Sequence, residues 1–449
     1  MSETITEQLR QEIVTALDNF DNDQIARILD AINIAQHADL LDSIPHHQRQ
    51  LIWPHVLHQN IGPVLLEAND EVRDNKLEEF SSRQIAEIIE TLPDVDDQAD
   101  IILSLPAEKL VSVLHIIDGQ KKARLEAVLS YSEDTAGGLM NLDQITIRAD
   151  VTLDVVLRYL RIRGEMPTHT DQLFVTDRYD KYQGALFLHD LLTNDTDSQV
   201  QQIMHIEVEA FDAQMPDSEV ARKFEDNDLI SAPIIDNVGR LIGRITVDDV
   251  VDVIREEGDQ TVMNMAGLAE DEDLFSPVLV SSRRRAIWLG VNLLTAFLAA
   301  AVIGFFEKTL DQVVALAILL TIVPSMGGIA GLQTLTLVIR GLALGQLGSS
   351  NFRSLLIKEL SVSLINGFIW ALAVALFSLV WFRDYRISIV IGLALMVNLL
   401  VGALSGVYIP ILMKKAGIDP ALAGGVALTT LTDVIGVSAF LGLATLVLL

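Results

Sequence analysis

One carboxylate stands alone in the closing run 421-ALAGGVALTTLTDVIGVSAFLGLATLVLL-449: Asp433 is the single charge in a stretch long enough to cross a bilayer. A carboxylate at that depth is costly and normally faces a partner or a water-filled path. Gly424, Gly425, Ala427, Thr429 and Thr430 precede it and Gly436 follows, so neighbouring helices can approach closely around the acid. Such crowding by small residues suits a narrow cation path; the plainer reading is a protonated structural Asp bonded to another helix. A second, denser acidic chemistry lies upstream. Asp248, Asp249, Asp252, Glu256, Glu257 and Asp259 crowd one helix-forming stretch, Glu270 to Asp273 follow, and Asp94, Asp96, Asp97 and Asp100 form an earlier group. Spacings of three and four stack like charges on one face, which costs about a few tenths of a kcal/mol per pair unless a cation intervenes. Oxygen ligands without His or Cys point to magnesium or calcium rather than zinc or copper, against the plainer reading of a solvated acidic face.

The charge of the chain divides along its length. Residues 283–449 hold 11 Lys and Arg against 6 Asp and Glu, which leaves 21 against 55, or −34, in residues 1–282. An acidic N-terminal portion of this kind repels nucleic acid and attracts cations. The absence of cysteine excludes disulfides, thiolate metal sites and Cys nucleophiles. The first 25 residues are polar, so no signal peptide is expected. After Arg283, Arg284 and Arg285 come apolar segments at 286–306, 313–345 (interrupted), 360–382, 387–413 and 421–449. Each reaches the roughly 20 residues that span a hydrocarbon core. Arg283 to Arg285, Arg353 with Lys358, and Lys414 with Lys415 alternate with Glu307, Lys308 and Asp311, which predicts five spans with the N-terminus inside. An intramembrane aspartyl protease would need two close carboxylates, and the spans offer Asp433 with only Glu359 near an edge.

The elements that position these acids are legible from periodicity. Residues 1–130 read as short amphipathic helices punctuated at Ile44-Pro45, Leu92-Pro93 and Leu105-Pro106, with proline expected at helix starts. His46, His47, His55 and His58 match no common metal-ligand spacing. An internal repeat follows: 174-FVTDRYDKYQGALFLHDLL-192 aligns without gaps to 233-PIIDNVGRLIGRITVDDVV-251, and 139–160 aligns to 203–224. Each copy reads as strand, helix, strand, turn, strand, helix. The pair resembles tandem CBS modules, which often bind adenine nucleotides such as ATP. That resemblance implies ribose and phosphate contacts at Thr246 and Asp249 of the second copy, whereas the first has Phe187 and Asp190 there. Scaffolding without a nucleotide is the other reading.

The order of these parts, together with local motifs, makes the chain similar to the MgtE family of magnesium channels and transporters over almost its whole length. The motifs are 131-YSEDTAGGLM-140, Pro324-Ser-Met-Gly-Gly-Ile-Ala-Gly-Leu-Gln333 with 334-TLTLVIRGLALGQL-347, and Asp419-Pro420-Ala421 with 429-TTLTDVIG-436. The resemblance implies a multidomain fold: an all-α helical N-domain (1–135), an α/β tandem CBS pair (136–202 and 203–258), an acidic connecting or plug helix (259–282), and a five-helix transmembrane domain (283–449). It implies a homodimer in the lipid of a bacterial inner membrane, with cytoplasmic N-terminal domains, no nucleic acid partner and no enzymatic activity. One pore would form at the dimer axis, with Asp433 of each copy holding a hydrated magnesium ion and Gly328, Gln333, Thr429 and Thr430 lining the path. Regulatory magnesium would bridge Asp96, Asp100, Asp228, Asp249, Asp252 and Glu257, while Gln260 and Thr261 stand where acids are familiar. An ion-coupled transporter or exporter of magnesium or another divalent cation such as cobalt is the rival within the same class. A nucleotide-sensing receptor without transport is the rival outside it. One departure bears on selectivity: many family members carry the second-span motif Gly-Gly-Asn-x-Gly-x-Gln, whereas this chain has Ile329 at the asparagine, with Leu332 further on, and retains Gln333. Gly327, Gly328 and Gly331 permit a bent or broken helix around a cavity, the reading favoured over glycines that serve only helix packing.

Overall fold

The computed structural model describes residues 7–268, 274–348 and 350–449. The acids Glu270 to Asp273 lie outside the described residues. The chain divides into two compact units, one of residues up to 258 together with 274–276, the other of 259–268 and 277–449.

In the first unit, ten α-helices, α1 (Glu7–Asp18) to α10 (Gly119–Val128), make the N-terminal array. Their starts are set locally. Asn33 with Gln36 and Ser81 with Gln84 form reciprocal caps, each satisfying two otherwise orphaned backbone N–H groups. Pro45 and Pro106 sit at helix N-caps as the punctuation suggests, but Pro93 lies one residue outside, and Asp94 is the N-cap of α8 (Val95–Leu103). The repeat folds as β1 (Thr146–Arg148), α11 (Leu153–Arg163), β2 (Gln172–Thr176), β3 (Tyr182–Phe187), α12 (Leu188–Thr193) and α13 (Val200–Ile203). The second copy is β4 (Phe211–Asp212), α14 (Asp217–Asn227), β5 (Ser231–Ile235), β6 (Leu241–Thr246) and α15 (Val247–Ala266). Each sheet has a parallel first pair and an antiparallel second, with Thr146 opposite Phe174 and Val175 opposite Gly184 in one, Phe211 opposite Ile234 and Ile234 opposite Gly243 in the other.

The modules exchange their entry segments. Asn141 pairs with Arg244 of β6, and His205 pairs with Ala185 of β3, so each copy's leading residues extend the other copy's sheet. This explains the matching glycines of the repeat. A Cβ on Gly184 would lie 2.6 Å from the His205 carbonyl, and one on Gly243 would lie 3.0 Å from that of Asn141. The first module keeps its own core around Leu153, Leu173 and Leu186. The second shares one continuous core with the helical array, running from Ile13 through Ile101 to Phe224, Ile245 and Val253.

Two expectations need correction here. Among the described residues of 259–282 there is no separate connecting helix: residues 259–266 are the tail of α15, which already carries the last helix of the second module, and the first membrane helix begins at Val278 rather than 283. The apolar and charged positions of α15 continue with helical spacing past Gly258, so nothing in the local sequence stops it there.

Among its described residues the second unit contains five helices long and apolar enough to span a membrane. They are α16 (Val278–Phe305), α19 (Ile322–Ala343) with the short α18 (Ala315–Leu319) before it, α20 (Phe352–Phe382), α21 (Tyr385–Lys415) and α22 (Pro420–Leu448); α17 (Glu307–Gln312) joins the first two spans. Helix α21 is the central one, packed by α19, α20 and α22 around Val390, Ala394 and Phe440. Helix α16 buries none of its residues within the chain. The second span is interrupted at Leu320 and Thr321, ahead of Pro324, and not at its glycines. Helix α19 is continuous across Gly327, Gly328 and Gly331, which overturns the expected break.

Candidate cation path and acidic cluster

Small residues decide how α19 meets its neighbours. A Cβ on Gly402 would come within 2.7 Å of the Gly327 carbonyl, and one on Gly406 within 2.7 Å of the Gly331 carbonyl. Two glycine pairs spaced by four therefore let α19 and α21 touch backbone to backbone, the packing device expected where lipid offers no hydrophobic drive. Gly327 and Gly331 are thus helix-packing glycines buried in the bundle. Gly328 points elsewhere: a Cβ there would lie 3.7 Å from Thr432 Oγ1 and 4.0 Å from the Thr429 methyl.

The pairs Gly328 with Thr432, Gly331 with Leu428 and Leu335 with Gly424 fix α19 and α22 as antiparallel neighbours. Asp433 sits 13 residues into α22, about 20 Å along it at 1.5 Å per residue, and so near the middle of a bilayer-length helix. It is half-buried, and among the described residues no hydrogen bond or ion pair reaches its carboxylate. The Thr430 hydroxyl donates to the Val426 carbonyl at 2.6 Å and that of Thr429 to Gly425 at 3.0 Å, so their remaining lone pairs are left for another ligand. Gln333 is exposed on α19, level with the turn between Gly424 and Leu428. That is about 10 Å from the level of Asp433 by helical rise, so the two lie at successive depths and not at one. Ile329 and Leu332 are both exposed, apolar positions on the same helix.

The cytosolic end of this path is tied to the tail of α15 within the same unit. Asp419, the N-cap of α22, accepts from the Ala421 N–H at 2.8 Å through one oxygen and from Asn264 Nδ2 at 2.9 Å through the other. Gly267, with φ +70°, lies so close to the Trp288 indole of α16 that a Cβ would come within 2.3 Å.

In the first unit, α8 presents its acids to the start of α15. Asp96 is 7% exposed, its Oδ1 accepts from Asn141 Nδ2 at 3.2 Å, and Asp94 accepts from the same amide at 3.0 Å. Desolvation, then repulsion from Asp249, Asp97, Asp94 and Asp100, holds the Asp96 carboxyl well above the usual range. Asp97 is pushed up to about 7 by desolvation and then by Asp94, Asp100, Asp248 and Glu67. Asp249 likewise reaches about 7 through desolvation and Asp248, partly offset by hydrogen bonds from Thr246. Desolvation raises Asp100 to about 6 and also raises Asp252, where Arg255 opposes it. Arg244, buried beside Asp94, Asp171, Asp248 and Asp96, donates to the Thr168 carbonyl at 2.6 Å.

Asp96, Asp100, Asp249 and Asp252 are thus brought into one region, joined by Asp97, Asp248 and Glu67. Asp228 is an exposed left-handed cap at the end of α14 (φ 51°), and Glu257 lies beside Asp217. Among the described residues no three carboxylates converge in a preformed metal cage. The donor set suits a hard cation, but the resting arrangement is mutual repulsion among desolvated acids. Thr246 is 5% exposed and its hydroxyl bonds to Asp248 and Asp249, while Asp190 of the first module is held by His205 Nε2 at 2.9 Å. Sequence reasoning passed over Asn141, Glu67 and Asn398. Asn398 left a signal as the lone carboxamide in the apolar α21, whereas Asn141 and Glu67 are ordinary surface-type residues until the fold places them.

Comparison with known proteins agrees with this architecture. Residues 32–134 match the model of the MgtE intracellular N domain, 200–256 that of the CBS domain, and 320–443 that of a divalent cation transporter, MgtE. The magnesium transporter MgtE of Thermus thermophilus is 31% identical over 361 residues, covering 79% of this chain and 80% of that protein. Its namesake from Bacillus subtilis is 29% identical over 352 residues, 78% of each. Among solved structures, the cytosolic domain of the Mg2+ channel MgtE in complex with ATP is 29% identical, covers 54% of this chain and 99% of that one, and superposes with a TM-score of 0.49. With family models matched over its N-terminal domain and its membrane portion, and with 31% identity over 79% of its length to one relative, the chain belongs to the MgtE family of magnesium transporters, a family of transporters and not of enzymes whose members are multi-pass membrane proteins with cytosolic N-terminal domains.

Proposed function

We propose that the chain is one half of a homodimeric magnesium channel in which Asp433 is the charged ligand of the ion path and the acid cluster of the first unit is the magnesium sensor. One observation carries the pore assignment: a half-buried carboxylate without a partner, near the middle of a bilayer-length helix, flanked by Thr429 and Thr430. Magnesium dehydrates reluctantly and is usually held by one or two carboxylates with several waters. A single chain supplies one such carboxylate; a second copy would supply the other without stripping the ion. Gln333, exposed about 10 Å toward the cytosolic end, then meets the ion at a later level.

The sensor reading rests on the repulsion just described. Divalent cations that bind only when α8 and α15 are together stabilise the compact state by their differential affinity for it, and several weak sites give a steep response. The Asn264 to Asp419 hydrogen bond and the Gly267 to Trp288 contact link the tail of α15 to the pore helices. An adenine nucleotide at the second module would have to break the bonds among Thr246, Asp248 and Asp249, and at the first it would have to displace His205 from Asp190. The cluster is therefore assigned to cations.

The test is magnesium flux into liposomes carrying the purified full chain. Asp433→Asn keeps the shape and removes the charge, so flux falls by about a hundredfold or more while the protein remains folded. Wild-type flux in folded Asp433→Ala would end the pore assignment, and flux strictly coupled to a counter-ion would replace the channel by a transporter.

A further inference from the structure

Where α19, α21 and α22 meet, one polar side chain is enclosed completely. Asn398 of α21 is 0% exposed. Its Nδ2 donates to the Val323 carbonyl of α19 at 2.7 Å, which fixes the orientation of the amide, because a flipped group would set two oxygens against each other. Its Oδ1 is then left without a hydrogen-bond partner. Burying a carboxamide with half of its capacity unused is unfavourable, so apolar packing alone would favour a leucine here.

Two glycines make the space that the amide fills, one on each neighbouring helix. A Cβ on Gly327 of α19 would lie 2.1 Å from Asn398 Nδ2, and a Cβ on Gly436 of α22 would lie 2.6 Å from the same atom. Gly436 is three residues after Asp433, one turn along the same helix. Asn398 therefore contacts both helices of the candidate path at one depth. It is bonded to α19 and wedged against α22 just beyond the acid. Rotation or sliding of α22 against α19 has to move the amide out of one notch or the other.

We propose that Asn398 is a positioning residue for ion passage: by keying into Gly327 and Gly436 it sets the rotation and height of α22, and so the place where Asp433 meets the ion. The proposal rests on the reading of Asp433 as the pore carboxylate. Asn398 touches no ion itself. It acts through helix register, and a displacement of about 1 Å at a charged ligand suffices for large losses in function. The glycine notches also predict a reciprocal relation between positions 398 and 436: a methyl added at 436 collides with the asparagine, and it has room once the asparagine is truncated.

The experiment measures magnesium flux, and the ratio of magnesium to calcium flux, in liposomes containing the full chain. Its variants are Asn398→Ala, Gly436→Ala, the double variant and, as a control, Asp433→Asn. Each single change at the key is expected to lower magnesium flux by about tenfold and to reduce the magnesium-to-calcium ratio, because the acid no longer stands at its proper level. The double variant should recover at least half of the loss on a logarithmic scale and restore the ratio, since the new methyl replaces the lost amide against α22. A gain of this kind from two damaging changes is not what general weakening of the bundle would give. Wild-type flux and ratio in both single variants, or a double variant as poor as the worse single one while monodisperse in detergent, overturns the key. If Asn398→Ala does not fold, Gly436→Ala with Asn398→Ser carries the same comparison. Should Asp433→Asn conduct normally, the pore reading fails; should it fail to conduct while the 398 and 436 variants behave as wild type, only this proposal fails.

Discussion

The two units of this molecule use acidic residues in opposite ways. In the first unit at least seven carboxylates, from Glu67 on the array to Asp252 on α15, lie near one another, and desolvation with mutual repulsion raises the carboxyls of Glu67, Asp96, Asp97, Asp100, Asp249 and Asp252 above their ordinary range. In the membrane unit the candidate path carries one acid, Asp433, set among threonines and glycines. Density makes the first group responsive: its members repel, so any cation or proton that relieves the repulsion changes the stability of the compact arrangement. Solitude makes the second specific. An acid alone at the middle of a span repels no carboxylate of its own chain, and its worth lies in what it attracts. On the function proposed above, a sensor and a filter for the same ion need different acid spacing, the sensor so that it opens without the ion, the filter so that it stays built without it.

Removing charge from each place is the sharpest way to break this contrast. Asp433→Asn is expected to abolish most flux at every magnesium concentration, whereas Asp96→Asn with Asp249→Asn, which holds the first unit compact without the ion, should lower flux already at low magnesium and flatten its dependence on magnesium. In the double acid variant the first unit should resist protease without magnesium about as well as the wild type does with it, because the most buried repulsion is gone; a stabilisation on the order of 1 kcal/mol or more is expected. Protease protection across a magnesium titration measures this. A wild type whose protection and flux are both indifferent to magnesium would reduce the cluster to a solvated acidic face.

A pH titration sharpens the same point at smaller amplitude. The carboxyls of Asp97 and Asp249 titrate near 7 in the folded unit against 3.8 when unperturbed, so the folded state binds protons more tightly than the unfolded one. Their contribution to stability is fully present below about 3.8 and is lost as pH rises through about 7. Without magnesium, the first unit should therefore be more protease-resistant at pH 6 than at pH 8. Because protons and magnesium relieve the same repulsion on the same oxygens, the magnesium needed for half-protection should rise severalfold from pH 6 to pH 8, as the cluster loses its protons and starts less compact. A magnesium midpoint that does not move with pH would place the sensing groups elsewhere.

The smallest expected effect concerns the lining of the path. Gln333→Leu removes the exposed amide about two turns from Asp433 and should alter the magnesium-to-calcium flux ratio by a factor of about two to five, while Ile329→Leu, an apolar exchange at an exposed position, should leave it unchanged. Equal and negligible effects would remove α19 from the lining.

Much of this protein was legible in its residues. Five spans follow from apolar length, the helical array from spacing and caps, the twin modules from self-alignment, and Asp433 stands out because a lone acid in an apolar run is visible without a fold. The sites built by distant residues were not legible in that way. Gathering Asp96 and Asp97 with Asp248 and Asp249 requires the shared core of the array and the second module, which the sequence of neither segment displays by itself. The glycines of 327–331 gave the wrong expectation for the same reason. Glycine permits both a broken helix and a close crossing, and only the partners at Gly402, Gly406 and Asn398 decide between them. Composition and period report what a segment can bury or expose along its own axis. Which surface comes to face it depends on the packing of segments far apart in the chain, and that is decided by tertiary structure alone.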